Sequence, residues 1–152
     1  MPLPIDVLKF GDPALEVSAI YWKIEFDHGS FPYNNFVREI EMHSTLGGSN
    51  QSVGGITGSA SGNGVSPGNA FDGNSATSVE WSWPETAPYI VFHFNSAINI
   101  KEFTWKFADG GGGHGPTTFR LKYSNDNVSY TLMQTWATAQ AWSENEVRTY
   151  QV

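Results

Sequence analysis

The residues of this chain best placed to do chemistry sit in one short run, Asn69-Ala70-Phe71-Asp72-Gly73-Asn74-Ser75-Ala76-Thr77. Asp72 and Thr77 offer side-chain oxygens, Asn74 offers an amide or backbone oxygen, and Gly73 permits a turn tight enough to point carbonyls inward. Oxygen donors gathered in this way suit a hard cation. The same spacing also suits an Asx turn, in which Asp72 accepts hydrogen bonds from its own backbone and holds no ion.

A second group is aromatic. Trp81 and Trp83 flank Ser82, so an extended segment places both on one side, and Pro84 ends the run. A sugar ring buries its apolar face on such an indole while its hydroxyls find nearby polar groups. Trp83 is the stronger candidate for this role, whereas Trp81 weighs toward the core, where large aromatics concentrate. His114 follows Asp109 and four consecutive glycines, a backbone that needs a contact to stay ordered. Trp83, His114, Trp81 and Asp109 are therefore the candidate ligand-binding residues, with a solvated loop as the plainer reading of His114. The other histidines, His28, His43 and His93, stand singly in the sequence.

Signals for catalysis are missing. The sequence has no nucleophile elbow, no phosphate-cradling loop and no histidine pair at metal spacing. The Gly110 to Gly113 run lacks the lysine and helix of a phosphate loop, and Glu39 with Glu41 read as solvated charges on one strand face. The chain reads as a binding or structural module and not as an enzyme.

The elements that must position these residues are strands. Alternation of large apolar residues is clearest in Phe103 to Phe107 and Phe119 to Tyr123. It recurs in Trp22 to Phe26, Ile90 to Phe94 and Glu146 to Val152, and more weakly in Phe36 to Met42. Between them lie turn clusters such as Asp27-His28-Gly29-Ser30 and Ser124-Asn125-Asp126-Asn127. The Gly- and Ser-rich stretch from Leu46 to Gly68 reads as a loop pinned to the domain. Six Trp, six Tyr, ten Phe and sixteen Gly in 152 residues fit one all-β sandwich domain.

Charge and composition narrow the partners. A net charge of −7, with eight Lys and Arg scattered singly, cannot form the basic stripe that nucleic-acid phosphates require, and it disfavours anionic membranes. With no cysteine, neither a disulfide framework nor a thiolate metal site can form, which leaves packing or an oxygen-ligated ion. No run has membrane-spanning length, and Lys9, Asp12, Pro13 and Glu16 interrupt any secretory segment before Ile20.

Several blocks in order carry a family resemblance: Asn69 to Thr77, Trp81-Ser82, Tyr89 to Phe94, Pro116 to Phe119, and Tyr123 to Tyr130. From about Ile20 to its end the chain resembles the discoidin, or coagulation-factor C-type, domain and the related family 32 carbohydrate-binding modules. The resemblance implies an all-β jelly-roll β-sandwich of the galactose-binding kind, with about eight strands. It also implies a structural calcium held by the Asn69 carbonyl, the Asp72 carboxylate, an Asn74 oxygen and Thr77. The family's Ala-Glu pair would correspond to Arg38-Glu39, where arginine departs from the pattern without affecting a carbonyl ligand.

That pair normally closes the family's domain, yet here it precedes the Asp72 turn, so the order reads as a circular permutation similar to bacteriophage virion and tail-fibre domains. A jelly-roll whose ends lie side by side tolerates such a break. The resulting expectation is a jelly-roll over residues 20–152 and an apolar, proline-punctuated arm over 1–19, docked on the outside or on a neighbouring subunit. The expected function is a carbohydrate-binding or adhesion module of a phage virion, recognising a cell-surface glycan from a receptor-binding or tail-fibre component. The alternative is a structural virion protein, a decoration, collar or fibre subunit, whose loops contact neighbouring virion proteins. Either places an oligomer within an assembly on a virion built in the host cytoplasm, and an extracellular domain would look alike.

Overall fold

A computed structural model describes residues 16–27, 34–53, 57–61, 66–82, 85, 87–108, 115–139 and 141–152. Among these residues nine strands appear in order: β1 (Ser18–Asp27), β2 (Asn35–His43), β3 (Thr57–Ala60), β4 (Val79–Trp81), β5 (Tyr89–Asn99), β6 (Glu102–Phe107), β7 (Thr118–Ser124), β8 (Thr131–Ala137) and β9 (Val147–Gln151). They form two antiparallel sheets, one ordered β3-β5-β1-β7-β8 and the other β4-β2-β6-β9. A short 3-10 turn, Pro67–Ala70, leads into the Asp72 segment.

The alternating runs supply the inner faces. From β1 come Trp22, Ile24 and Phe26, from β6 Phe103, Trp105 and Phe107, and from β7 Phe119 and Leu121, all fully buried. The rings pack edge-on more than in stacks: Phe26 meets Trp81 at 4.9 Å and 85°, and Trp105 at 5.1 Å and 67°. This is the arrangement that ring quadrupoles favour.

Both early strands are central. β1 lies between β5 and β7, and β2 lies between β4 and β6. Of residues 1–19, expected to form an arm, Ser18 and Ala19 belong to the sandwich instead, because β1 begins at Ser18 and Ala19 is fully buried in the core. Residues 1–15 lie outside the described residues.

Bulges interrupt three of the strand pairings. In β2 the register with β6 shifts between Val37 and Glu39, so Val37, Ile40 and Met42 all face inward although Val37 and Ile40 are three apart. β1 shifts likewise between Ala19 and Tyr21, and the β7–β8 pairing shifts between Leu121 and Lys122. The bulge in β2 has a consequence for the site: strict alternation would set Glu39 inward with Val37, and the extra residue turns Glu39 and Glu41 to the outer face.

One end of the sandwich is sealed by Trp142, 2% exposed, whose indole N–H donates to the Pro116 carbonyl at 3.2 Å. The Arg148 guanidinium covers its other side at 3.8 Å from the ring centre. Gly115 lies so close that a Cβ there would sit 1.7 Å from Trp142 Cδ1. Gly115→Ala should therefore destabilise the domain by about 3 kcal/mol or more, since neither the backbone nor a sealed indole can yield. Urea unfolding measures this, and a midpoint equal to wild type would contradict the packing.

Candidate functional site

The Asp72 turn is built from its own side chains. Asp72 Oδ1 accepts from the Asn74 N–H at 2.8 Å and Oδ2 from the Thr77 hydroxyl at 2.9 Å. Asn74 Oδ1 accepts from the Ala76 N–H at 3.1 Å, and Gly73 takes φ of +74°, which its missing Cβ allows. At the base, the Asn69 amide donates to the Ser78 carbonyl at 3.2 Å. The Asx geometry open to this sequence is therefore present.

An Asx turn alone does not account for Glu39. β4 covers one edge of β2 only over Asn35 to Val37 and Asn50 to Ser52 cover it again from Ile40 to His43, so Glu39 lies in the gap between them, beside Asp72. Glu39 is only 8% exposed, and its Oε1 has no hydrogen-bond partner among the described residues. This corrects its reading as a solvated charge; Glu41, at 46% side-chain exposure, fits that reading better. Burial first, and then the neighbouring Asp72 carboxyl, push Glu39 up to about 7. Asp72 moves the other way: burial works against its charge, but the Asn74 N–H and the Thr77 hydroxyl hold it below the ordinary carboxylate range.

Two carboxyl groups thus meet beside amide, hydroxyl and carbonyl oxygens, one of them buried with an oxygen unpaired. That donor set is all oxygen, as a hard cation requires, and a cation there would relieve both the repulsion and the orphaned Oε1. Among the described residues no cluster of three or more His, Asp or Glu side chains forms a metal centre, so such an ion would need backbone carbonyls to fill its shell. Arg38 contributes differently from Glu39. Its guanidinium donates to the Ser75 carbonyl at 2.9 Å and the Ala108 carbonyl at 3.3 Å, lashing the turn to the end of β6. Beside the turn, a groove of about 470 Å³ runs over the outer face of the four-stranded sheet, lined by Glu39, Glu41, Asn50, Thr104 and Lys106 among others.

Of the aromatic candidates, Trp81 is corrected. It is fully buried between Phe26 and Trp105 and offers no ring face to a ligand. Trp83, Asp109 and His114 lie outside the described residues. The strands that flank them do end together: Trp81 pairs with Asn35, Phe107 with Val37, Thr118 with Asp27 and Tyr89 with Glu25. The ends of β4 and β6 and the starts of β5 and β7 are thereby gathered at the same end of the sandwich. Of the histidines that stand singly in the sequence, His43 places Nδ1 2.7 Å from the Gly48 carbonyl oxygen, and His93 places Nδ1 3.1 Å from the Thr57 hydroxyl.

The F5/8 type C domain model matches residues 49–151, two thirds of the chain. The chain belongs to this family. Comparison with curated proteins and with solved structures gave no match. F5/8 type C domains are discoidin domains, sandwiches that are generally non-catalytic and commonly bind carbohydrates or mediate adhesion. The matched segment begins after β1 and β2, so this F5/8 type C domain draws a central strand of each sheet from residues that precede the match. No helix among the described residues is long and apolar enough to cross a membrane.

Proposed function

We propose that this domain is a non-catalytic carbohydrate-binding or adhesion module, with its glycan site at the sandwich end where β4, β5, β6 and β7 converge. The observation that carries this reading is the family match joined to that convergence of strand ends. Trp83 supplies the stacking face, and Asp109 and His114 supply hydrogen bonds to hydroxyls. A calcium ion at the Asp72 turn, held by Asp72 and Glu39 with oxygens of Asn69, Asn74, Thr77 and Arg38, steadies the fold and takes no part in any reaction.

The order of segments supports a circularly permuted domain, in which β1 and β2 stand where the family's closing strands would. The permuted order of the sequence blocks is the ground on which we place it on a virion, as a receptor-binding or fibre component. Labelling purified particles with an antibody to the domain tests that placement. Sugar recognition is tested on a glycan array. Wild type should give a saturable signal that Trp83→Ala weakens several-fold, up to about tenfold, a stacked ring being worth roughly 0.5–1.5 kcal/mol. Equal signals from both proteins would remove Trp83 from the site.

A further inference from the structure

The outer face of the five-stranded sheet carries a groove of a different kind from the sandwich end. Along β1 and β5 the outward positions are Tyr21, Lys23 and Glu25, and Tyr89, Val91 and His93, with Thr57 and Ser59 beside them on β3. Lys23 sits 4.1 Å from the Tyr89 ring centre and 2.9 Å from Glu25, so half of this face is occupied by its own ion pair. The other half is open: a groove of about 200 Å³ is lined by Tyr21, Thr57, Ser59, Val91, His93 and Asn127.

Each wall has a defined chemistry. The Tyr21 and His93 rings stack with centres 4.5 Å apart and planes 17° apart, so Tyr21 backs one face of an imidazole that is otherwise exposed. The Thr57 hydroxyl pairs with Nδ1 and sets the ring's orientation, leaving Nε2 without a partner among the described residues. Tyr130 donates its hydroxyl proton to Asn127 Oδ1 at 2.5 Å, so the Asn127 amide nitrogen is what that side chain offers outward. Ser59 adds a hydroxyl, and buried Val91 gives an apolar floor. Among the described residues no carboxylate, lysine or arginine lines the groove.

An oriented aromatic face, an apolar floor and neutral donors and acceptors around it match a ring with one apolar face and a rim of hydroxyls. The volume falls below the roughly 300–1,000 Å³ of clefts that enclose drug-sized ligands, so it suits one ring and not an oligosaccharide. We propose that this groove is a second carbohydrate site, taking a single neutral pyranose unit against His93. It stands apart from the sandwich-end site and shares with it only the class of ligand.

Amide-resolved NMR titration of the full chain with the methyl pyranosides of galactose, glucose and N-acetylglucosamine tests it. At least one sugar should shift the amides of Thr57, Ser59, His93 and Asn127 saturably. His93→Ala, an exposed change, should weaken that binding about tenfold, and Thr57→Val, which removes the bond that orients the ring, should weaken it less. Trp83→Ala should leave these shifts unchanged. Shifts confined to the ends of β4 and β6, or none with any of the three sugars, would overturn the second site. The first of those outcomes leaves the sandwich-end site standing, and array binding with no groove shifts separates the two proposals.

Discussion

Removing residues 1–45 should abolish folding, even though every residue that matches the F5/8 type C domain model is kept. The deletion takes β1 from between β5 and β7 and β2 from between β4 and β6, leaving each sheet split. It also removes Trp22, Ile24, Phe26, Val37, Ile40 and Met42 from the core. At ~1.5–3 kcal/mol for each buried apolar side chain, the loss exceeds the roughly 5–15 kcal/mol by which a domain is stable at all. Circular dichroism with thermal melting reads the outcome: no cooperative transition is expected. A truncated protein that melts cooperatively would mean that the remaining strands close the sandwich without β1 and β2.

The second large effect concerns Glu39. In chelator, the protein should lose stability as pH rises from about 4.5 toward 8. Glu39 titrates near 7 when folded and near 4.5 as an ordinary glutamate. Between those values the folded state holds the extra proton, so the contribution is full below 4.5 and is lost as pH rises through about 7. Each tenfold difference in proton affinity between the folded and unfolded chain is worth ~1.4 kcal/mol, so the loss reaches at most about 3 kcal/mol. Asp72, held below the ordinary range, is already ionised across that window and does not mask the slope.

Calcium should reverse the picture. An ion present at about one hundred times its dissociation constant adds ~2.7 kcal/mol, which for a domain of this size is roughly 5–10 °C in Tm. Glu39→Gln separates the two effects. It should raise the stability of the chelated protein above pH 7, where the buried charge is removed, and abolish the response to calcium. Scanning calorimetry across pH, with and without calcium, checks both arms. A Tm that ignores calcium, chelator and Glu39→Gln alike would leave the Asp72 segment as an Asx turn and nothing more.

Much of the sandwich is legible in the sequence where strands alternate without interruption. Trp22 to Phe26, Phe103 to Phe107 and Phe119 to Tyr123 announce their inner faces, and each forms a strand. β8 goes unread because its bulge leaves half-buried Met133 and Trp136 three apart, a spacing that period-two reading rejects. β3 is concealed by its composition. Gly58 is there because a Cβ would sit 2.6 Å from the Phe71 ring, so a packing demand looks like a flexible loop in the sequence. β4, with only three residues, is too short to show a period.

The site is legible in part. The turn chemistry of Asp72, Asn74 and Thr77 follows from local spacing and is present in the structure. Glu39 is reached by resemblance, while pattern reading puts it in solvent. Its burial depends on a one-residue bulge and on a turn more than thirty residues away, and no local signal encodes either. The stacked pair of Tyr21 and His93 brings together residues from two strands whose pairing is set only by the fold, so nothing in either neighbourhood marks them.

At the centre stands the claim that this sandwich binds a glycan and does nothing further to it. Isothermal titration with the strongest array glycan, followed by recovery of that glycan and its mass spectrum, tests this most directly. Saturable binding to a folded protein, reduced several-fold, up to about tenfold, in Trp83→Ala, with the glycan recovered unchanged after prolonged incubation, is the predicted result. A folded, calcium-loaded protein that binds no glycan, or one that returns the glycan cleaved, would contradict it.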